Sequence, residues 1–461
     1  MSSLASHLAA VESSLPIRVV GEISAVRGLT LEAAHLPLPL GATCRIDRVG
    51  DGFDDGKPPC RAQVVGFGRE PDGRETTLLM PLGDLTGVAA GDPVENEPGS
   101  PHIRAGDGLL GRVVNADGIP IDGKGPIPGV TTPELCPLNR KPPDPLSRAL
   151  VREPLSTGVR CIDGVLTCGK GQRMGLFAGP GVGKSTLLSW ISKHTDADVS
   201  VIALIGERGR EVGEFLENAL GPEGMKRCVV VVCTAEEPPL MKVRAAKAAC
   251  AISEHFRDRG QNVLLLLDSL TRLCQAQRQI GLAAKEPPAT KGFPPSVFAL
   301  LPDLLERAGS TQTGSITGFY TVLVEGDDFS EPIPDAVKGI TDGHIWLSRE
   351  LAEAGHFPAI DVLKSVSRVR GDVSDKPQVA AARAVQKLVS DYAAVEDLVN
   401  VGAYVEGANA EADAAVRMRP KVLGFLQQSP ENPTNLASAR KQLFDLQRQI
   451  GLSRQASPTQ P

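Results

Sequence analysis

The stretch Leu176-Phe-Ala-Gly-Pro-Gly-Val-Gly-Lys-Ser-Thr-Leu-Leu188 limits what this chain can fold into more than any other. The apolar run Met174–Ala178 predicts a buried strand, and Leu187 to Ile191 predicts a helix opened by Lys184-Ser185-Thr186. Between them Gly179, Gly181 and Gly183, with Pro180 and Val182 interspersed, let the backbone turn with its N–H groups facing inward. Such a turn gathers donors and the positive end of a helix dipole at one point, which suits phosphate. In this pattern Lys184 reaches the β- and γ-phosphates and the Ser185 hydroxyl holds Mg²⁺. Ala178 stands where the pattern G-x-x-x-x-G-K-[ST] has its first glycine, and alanine is the smallest alternative. Residues Ala178 to Thr186 are therefore read as a nucleoside triphosphate site.

The text around this loop predicts a parallel sheet covered on both faces. Apolar runs at Val199–Ile205, Val229–Val232, Val263–Leu267 and Phe319–Val324 alternate with helical stretches such as Glu211–Leu220 and Leu240–Arg259. Upstream, Ile17 to about Val94 holds short strand-like runs punctuated by Gly, Pro and Asp, which predict a small β-barrel or sandwich. Leu109–Gly123 reads as a strand, a tight turn and a second strand. After Arg370, Gln378–Val399, Ala410–Gln427 and Leu436–Ile450 carry helix formers. The expected organisation is an amphipathic segment over 1–16, a β-domain over 17–94, a nucleotide-binding α/β domain over 95–372 and a helical domain over 373–461. Leu4, Leu8, Val11 and Leu15 fall on one helical face of the first segment, to dock on its own core or on a partner.

Composition narrows the function classes. The 49 Lys and Arg against 55 Asp and Glu leave a net charge of −6, and aromatics are 4%, so a general nucleic-acid binder is disfavoured. Nine cysteines lie without C-x-x-C pairs, mostly beside apolar residues, which predicts buried reduced thiols rather than disulfides or zinc. There is no apolar run of membrane-spanning length and the start lacks signal-peptide features, so a soluble cytoplasmic protein is expected.

Two further stretches carry chemistry. Val263-Leu-Leu-Leu-Leu-Asp268 is a hydrophobic strand ending in a carboxylate, about eighty residues after the loop, where it would orient Mg²⁺. In Ala203-Leu-Ile-Gly-Glu-Arg-Gly-Arg-Glu-Val212, Glu207 follows a buried strand and a glycine. A carboxylate there could align or deprotonate water against the γ-phosphate, and on residue type alone Glu211 competes for the role.

Pro358-Ala-Ile-Asp-Val-Leu-Lys-Ser-Val-Ser367 matches the P-[SA]-[LIV]-[DNH]-x-x-x-S-x-S pattern of the hexameric ATPases related to the catalytic and non-catalytic subunits of rotary ATP synthase. Within them, Gly206–Val212, Phe256–Val263, Glu286–Val297, Leu305–Gly309 and Phe319–Asp328 resemble the ATPases of type III protein export, which serve the bacterial flagellum and the virulence injectisome. The resemblance is strongest from about Gly106 to Tyr404. It implies a RecA-like core with an N-terminal β-barrel and a C-terminal helical domain, hydrolysing ATP with Mg²⁺. It also implies roles residue by residue. Glu207 is the catalytic glutamate and Arg208 an arginine near the γ-phosphate. Phe357 stands where the family usually has Tyr stacking on adenine, and Arg368 is the arginine finger given to a neighbouring subunit's site.

The resemblance further implies a homohexamer at the cytoplasmic face of a membrane-embedded export apparatus. Its partners would be a stator-like regulatory protein at the N-terminus, export-gate membrane proteins and substrate–chaperone complexes, with peripheral membrane association only and no nucleic acid. Leu351–Asp361 reads as flagellar, Val362–Val369 as well for the injectisome; flagellar service is the first expectation. A rotary synthase subunit is a second reading, disfavoured because one chain carries both Glu207 and Arg368. A non-hydrolysing nucleotide-gated scaffold would be expected to have lost the carboxylate that Glu207 keeps.

Overall fold

The computed structural model describes residues 19–48, 59–69, 73–97, 101–127, 134–324, 331–407 and 409–455. The apolar stripe Leu4, Leu8, Val11 and Leu15 and residues 325–328 of the Phe319–Asp328 motif lie outside them.

Strands β1 (Val20–Arg27), β2 (Thr30–Ala34), β3 (Thr43–Ile46), β4 (Cys60–Arg69), β5 (Glu75–Pro81) and β6 (Pro93–Asn96) close a barrel in the order β1-β2-β5-β4-β3-β6. Ile23, Leu31, Ile46, Val64, Leu79 and Val94 fill its interior. Register shifts at Ile23/Ala25 and Val64/Gly66 bend β1 and β4 enough for β6 to pair back onto β1. Pro93-Val-Glu-Asn96 has little strand signature, because its proline sits at the first position, where the missing N–H costs no ladder bond.

Two small ribbons lead into the core: β7 (His102–Ala105) pairs with β9 (Glu134–Pro137), and β10 (Pro154–Leu155) with β11 (Cys168–Gly169). The main sheet comprises β8 (Arg112–Val114), β12 (Arg173–Ala178), β13 (Val199–Glu207), β14 (Cys228–Thr234), β15 (Asn262–Asp268), β17 (Ser315–Leu323), β18 (Gly343–Leu347) and β19 (Val366–Ser367). Its order is β19-β18-β12-β17-β15-β13-β14-β8, with β16 (Gly309–Ser310) folded against β17. The strands from β18 to β8 run parallel. Every residue of β13 is buried, as a strand covered on both faces requires.

Three expectations change. The second strand after Asp117-Gly118 reduces to one bridge, Val114 to Pro120, because proline offers no N–H to extend a ladder. The helix expected over Glu211–Leu220 is Gly209–Glu214, a wider π-turn over Phe215–Leu220, and Gly221–Met225. The helix expected over Gln378–Val399 breaks into Lys376–Ala393 and Glu396–Asn400.

The C-terminal helices Lys376–Ala393, Ala410–Leu426 and Leu436–Gln455 do not form a separate core. Ala381, Val385, Phe425 and Leu443 belong to the same apolar cluster as Leu187, Trp190 and Ile345 beside the phosphate loop. All nine cysteines are free and eight are buried; burial pushes the Cys161 thiol up to about 12. Among the described residues no helix is long and apolar enough to cross a membrane.

Candidate active site

β12, β17, β15 and β13 lie side by side, and their C-terminal edge collects the chemistry, as it does in open α/β sheets. Beyond Ala178 the loop turns through Gly181 (φ 78°) and Gly183 (φ 88°), both in the left-handed region that favours glycine. Gly183 precedes the helix Lys184–His194, so the N–H groups of its first turn face the loop. Gly179, Val182 and Ala178 are buried, while Pro180, Gly181, Ser185 and Thr186 are open to solvent.

Lys184 lies between two carboxylates. Its Nζ donates to Asp268 Oδ1 at 2.5 Å and stands 3.5 Å from Glu207 Oε1. Thr321 Oγ1, on the neighbouring strand β17, also donates to Asp268 Oδ1, at 2.7 Å. Glu207 Oε1 is buried and has no hydrogen-bond partner. On its other oxygen, Arg272 Nη2 sits 3.2 Å from Oε2. Gly206 aims this side chain: at φ 72°, with a register shift between Ile205 and Glu207, it turns the end of β13 toward the loop. The Asp268–Ser269 peptide is cis.

Burial is the main cause that raises Glu207, pushing it up to about 7, with the hydrogen bond to Glu211 and the charge of Asp268 adding to it. Lys184 and Arg272 act against that rise. Glu211, hydrogen-bonded to Glu207 and more exposed, is lowered, chiefly by that bond. A carboxylate poised near neutrality, one oxygen unpaired, suits proton transfer to or from water.

The residues fit a magnesium–nucleotide complex. Two carboxylates and the Ser185 hydroxyl are hard oxygen donors, and Mg²⁺ is usually held by one or two carboxylates together with substrate phosphates. No cluster of three or more His, Cys, Asp or Glu able to hold a metal without such help occurs among the described residues.

Phe357 closes a cavity of about 330 Å³ beside the loop, lined by Gly183, Trp190, Phe357, Pro358, Gln428 and Pro430, among others. The Phe357 ring is half exposed and follows the turn of Gly183, as a stacking surface for a base would.

Known proteins match most of this chain. Residues 158–367 match the ATP synthase alpha/beta family nucleotide-binding domain, and residues 374–445 the T3SS EscN ATPase C-terminal domain. The flagellum-specific ATP synthase of Bacillus subtilis (strain 168) is 48% identical over 428 residues, covering 92% of this chain and 94% of that one. The type 3 secretion system ATPase of Xanthomonas euvesicatoria is 46% identical over 429 residues, covering 93% of each. This chain belongs to the family of flagellar and type 3 secretion ATPases. The assembled ATPase EscN of the enteropathogenic E. coli type III secretion system superposes with a TM-score of 0.85 at 43% identity, covering 93% of this chain and all of that one. EscN in complex with its central stalk EscO superposes with a TM-score of 0.83 at 42% identity, with the same coverage.

In this ATPase two expected residues stand apart from the cluster. Arg208 precedes the short helix Gly209–Glu214 with 79% of its side chain exposed, and its ion pair is with Glu211 at 4.0 Å. Arg368 follows the edge strand β19; its side chain donates to the Lys338 carbonyl and its N–H to the Asp342 carbonyl. Asp342 is level with Arg173, the start of β12, whereas the phosphate loop follows Ala178 at that strand's other end. At ~3.3 Å per residue the two levels are roughly 16 Å apart. Arg272 and Thr321, by contrast, enter the site without having been singled out in the sequence. Arg272 lies in the first turn of a helix, where a long charged side chain ordinarily reaches into solvent, and only the pairing of β13 beside β15 brings Glu207 to it.

Proposed function

We propose that this ATPase hydrolyses ATP, taken as its Mg²⁺ complex, to energise type III protein export, with flagellar protein export and flagellum assembly as the service. The observation that carries the catalytic part is the lysine of the phosphate loop held between Asp268 and Glu207 at 2.5 and 3.5 Å, with the second carboxylate raised toward neutrality. Residues Ala178 to Thr186 wrap the phosphates, Lys184 neutralises the β- and γ-oxygens, and Phe357 stacks on the base. Ser185 and Asp268 would hold Mg²⁺, directly or through water, and it would supply charge neutralisation to the phosphates. Glu207 accepts a proton from the water that attacks the γ-phosphorus as the bond to the β-bridging oxygen breaks, leaving ADP and phosphate.

Arg368 is too far from its own loop to serve it, which favours a role as the finger of an adjacent copy in a homohexameric ring. The assembled ATPase EscN, alone and in complex with its central stalk EscO, supports a ring and a stalk-like partner here. A stator-like regulator at residues 1–16, export-gate membrane proteins and substrate–chaperone complexes complete the proposed partners. They place the ring at the cytoplasmic face of the membrane, in peripheral association only.

The test has two arms. Glu207→Gln should lower turnover by about 10²- to 10⁴-fold with nucleotide binding retained; unchanged turnover would remove Glu207 from its role. A clean deletion scored for filaments and for secreted effectors decides the service. Loss of effectors with filaments intact selects the injectisome reading, which the 46% identity to the Xanthomonas euvesicatoria secretion ATPase keeps in view.

A further inference from the structure

Gln428 and Pro430 bring the C-terminal helices to the wall of the base cavity. Gln428 is nearly buried, and each of its polar groups is occupied. Its N–H donates to the Phe357 carbonyl at 3.0 Å. Its Oε1 accepts from the Arg160 N–H at 2.7 Å, and its Nε2 donates to the Asn432 carbonyl at 2.8 Å. Gln428 thus fastens the backbone of the stacking residue to the start of the helix Arg160–Val165.

Arg160 makes the other half of the bracket. Its guanidinium donates to the carbonyls of Gly424 and Phe425, each at 2.7 Å, to the Gln427 carbonyl, and to Gln442 Oε1 at 2.8 Å. The first three belong to the last turn of the helix Ala410–Leu426 and the residue after it, where carbonyls lack intrahelical partners and the dipole is negative. The same guanidinium lies 5.5 Å from the Phe425 ring centroid. One cation therefore caps that helix, ties it to Leu436–Gln455 through Gln442, and holds the turn that carries Gln428 and Pro430. The bracket also abuts the phosphate-loop helix, since a Cβ at Gly158 would come within 2.4 Å of His194, the last residue of Lys184–His194.

We propose that Arg160 is a positioning residue for the nucleotide base: through Gln428 it sets the Phe357 wall of the cavity according to where the C-terminal helices lie, and leaves the phosphate cradle untouched. The inference rests on the nucleotide-site reading above. The phosphates would be held by the loop and Lys184, and Arg160 bonds to neither. Losing the bracket should therefore weaken ligands that carry the base and spare those that do not.

The test is calorimetric titration of the full-length wild type, Arg160→Ala and Gln428→Ala with Mg·ADP and with Mg·pyrophosphate, which has no base. For Arg160→Ala the expected result is an ADP affinity about tenfold weaker and a pyrophosphate affinity within twofold of wild type, with Arg160→Lys recovering part of the loss. Gln428→Ala keeps the guanidinium cap on the helix, so it tests the relay even if Arg160→Ala fails to fold; it should weaken ADP selectively as well. Equal losses for both ligands, or no loss for ADP in the variants, would overturn the proposal. A wild type that binds neither ligand would instead overturn the nucleotide-site reading.

Discussion

Arg272 Nη2 lies 3.2 Å from Glu207 Oε2, and the same guanidinium donates to the carbonyl of Gly206, the residue that aims Glu207. One helical side chain thus holds both the charge and the direction of the carboxylate proposed as the base. Arg272→Ala removes a cation that lowers Glu207, so its proton leaves at higher pH. The acid limb of kcat/KM should move up from about 7, and a displacement of one unit gives about a tenfold loss on the acid side that closes at high pH. The pH–rate profile of the variant checks this.

Glu211 pulls the other way. Its hydrogen bond to Glu207 is the second cause of the raised value, after burial. Glu211→Gln removes the negative charge that favours a protonated Glu207, so the acid limb should move to lower pH and activity below pH 7 should rise relative to wild type. A limb displaced upward would contradict a raising influence of Glu211 on Glu207.

Arg307 and Glu254 form a fully buried, two-pronged pair, Nε and Nη2 each 2.8 Å from a carboxylate oxygen, and Arg307 Nη1 also donates to the Leu138 carbonyl. Removing one partner strands the other's charge in the core. Arg307→Ala should destabilise the chain by about 3–5 kcal/mol. Replacing both residues with apolar side chains of similar volume should recover much of that loss, as read by denaturant melts.

Asp163 is buried under Thr157 and Ser156, which donate to it, yet burial outweighs those bonds and raises it to about 7. The folded chain therefore keeps a proton between pH 3.8 and 7 that the unfolded chain has released. This group's contribution to stability is largest below 3.8, declines on the order of 1 kcal/mol per unit as pH rises through that window, and is flat above it. Asp163→Asn should flatten the wild-type slope between pH 5 and 7 in urea melts.

Elements whose chemistry is local were legible from the chain alone. The loop Ala178–Thr186, the apolar strands ending at Glu207 and Asp268, and the free buried cysteines needed only spacing and residue type. The rest depends on distant partners. Thr321 matters because β17 lies against β15, and Gln428 because the last helices share a core with the phosphate-loop helix. The breaks at Phe215–Leu220 and after Ala393 lie within runs of good helix formers, where propensity carries no sign of a π-turn or a stop.

If Arg368 completes the site of an adjacent copy, as proposed, its separation from its own phosphate loop along the length of a strand gives each chain a giving side and a receiving side. Two kinds of damaged chain should then mend each other. A Lys184→Ala chain still offers its arginine, and an Arg368→Ala chain still offers its loop. In a randomly mixed head-to-tail ring about a quarter of the junctions would be whole, so an equal mixture of two inactive proteins should regain turnover that neither has alone. Such rescue between subunits would make the working unit the seam between neighbours.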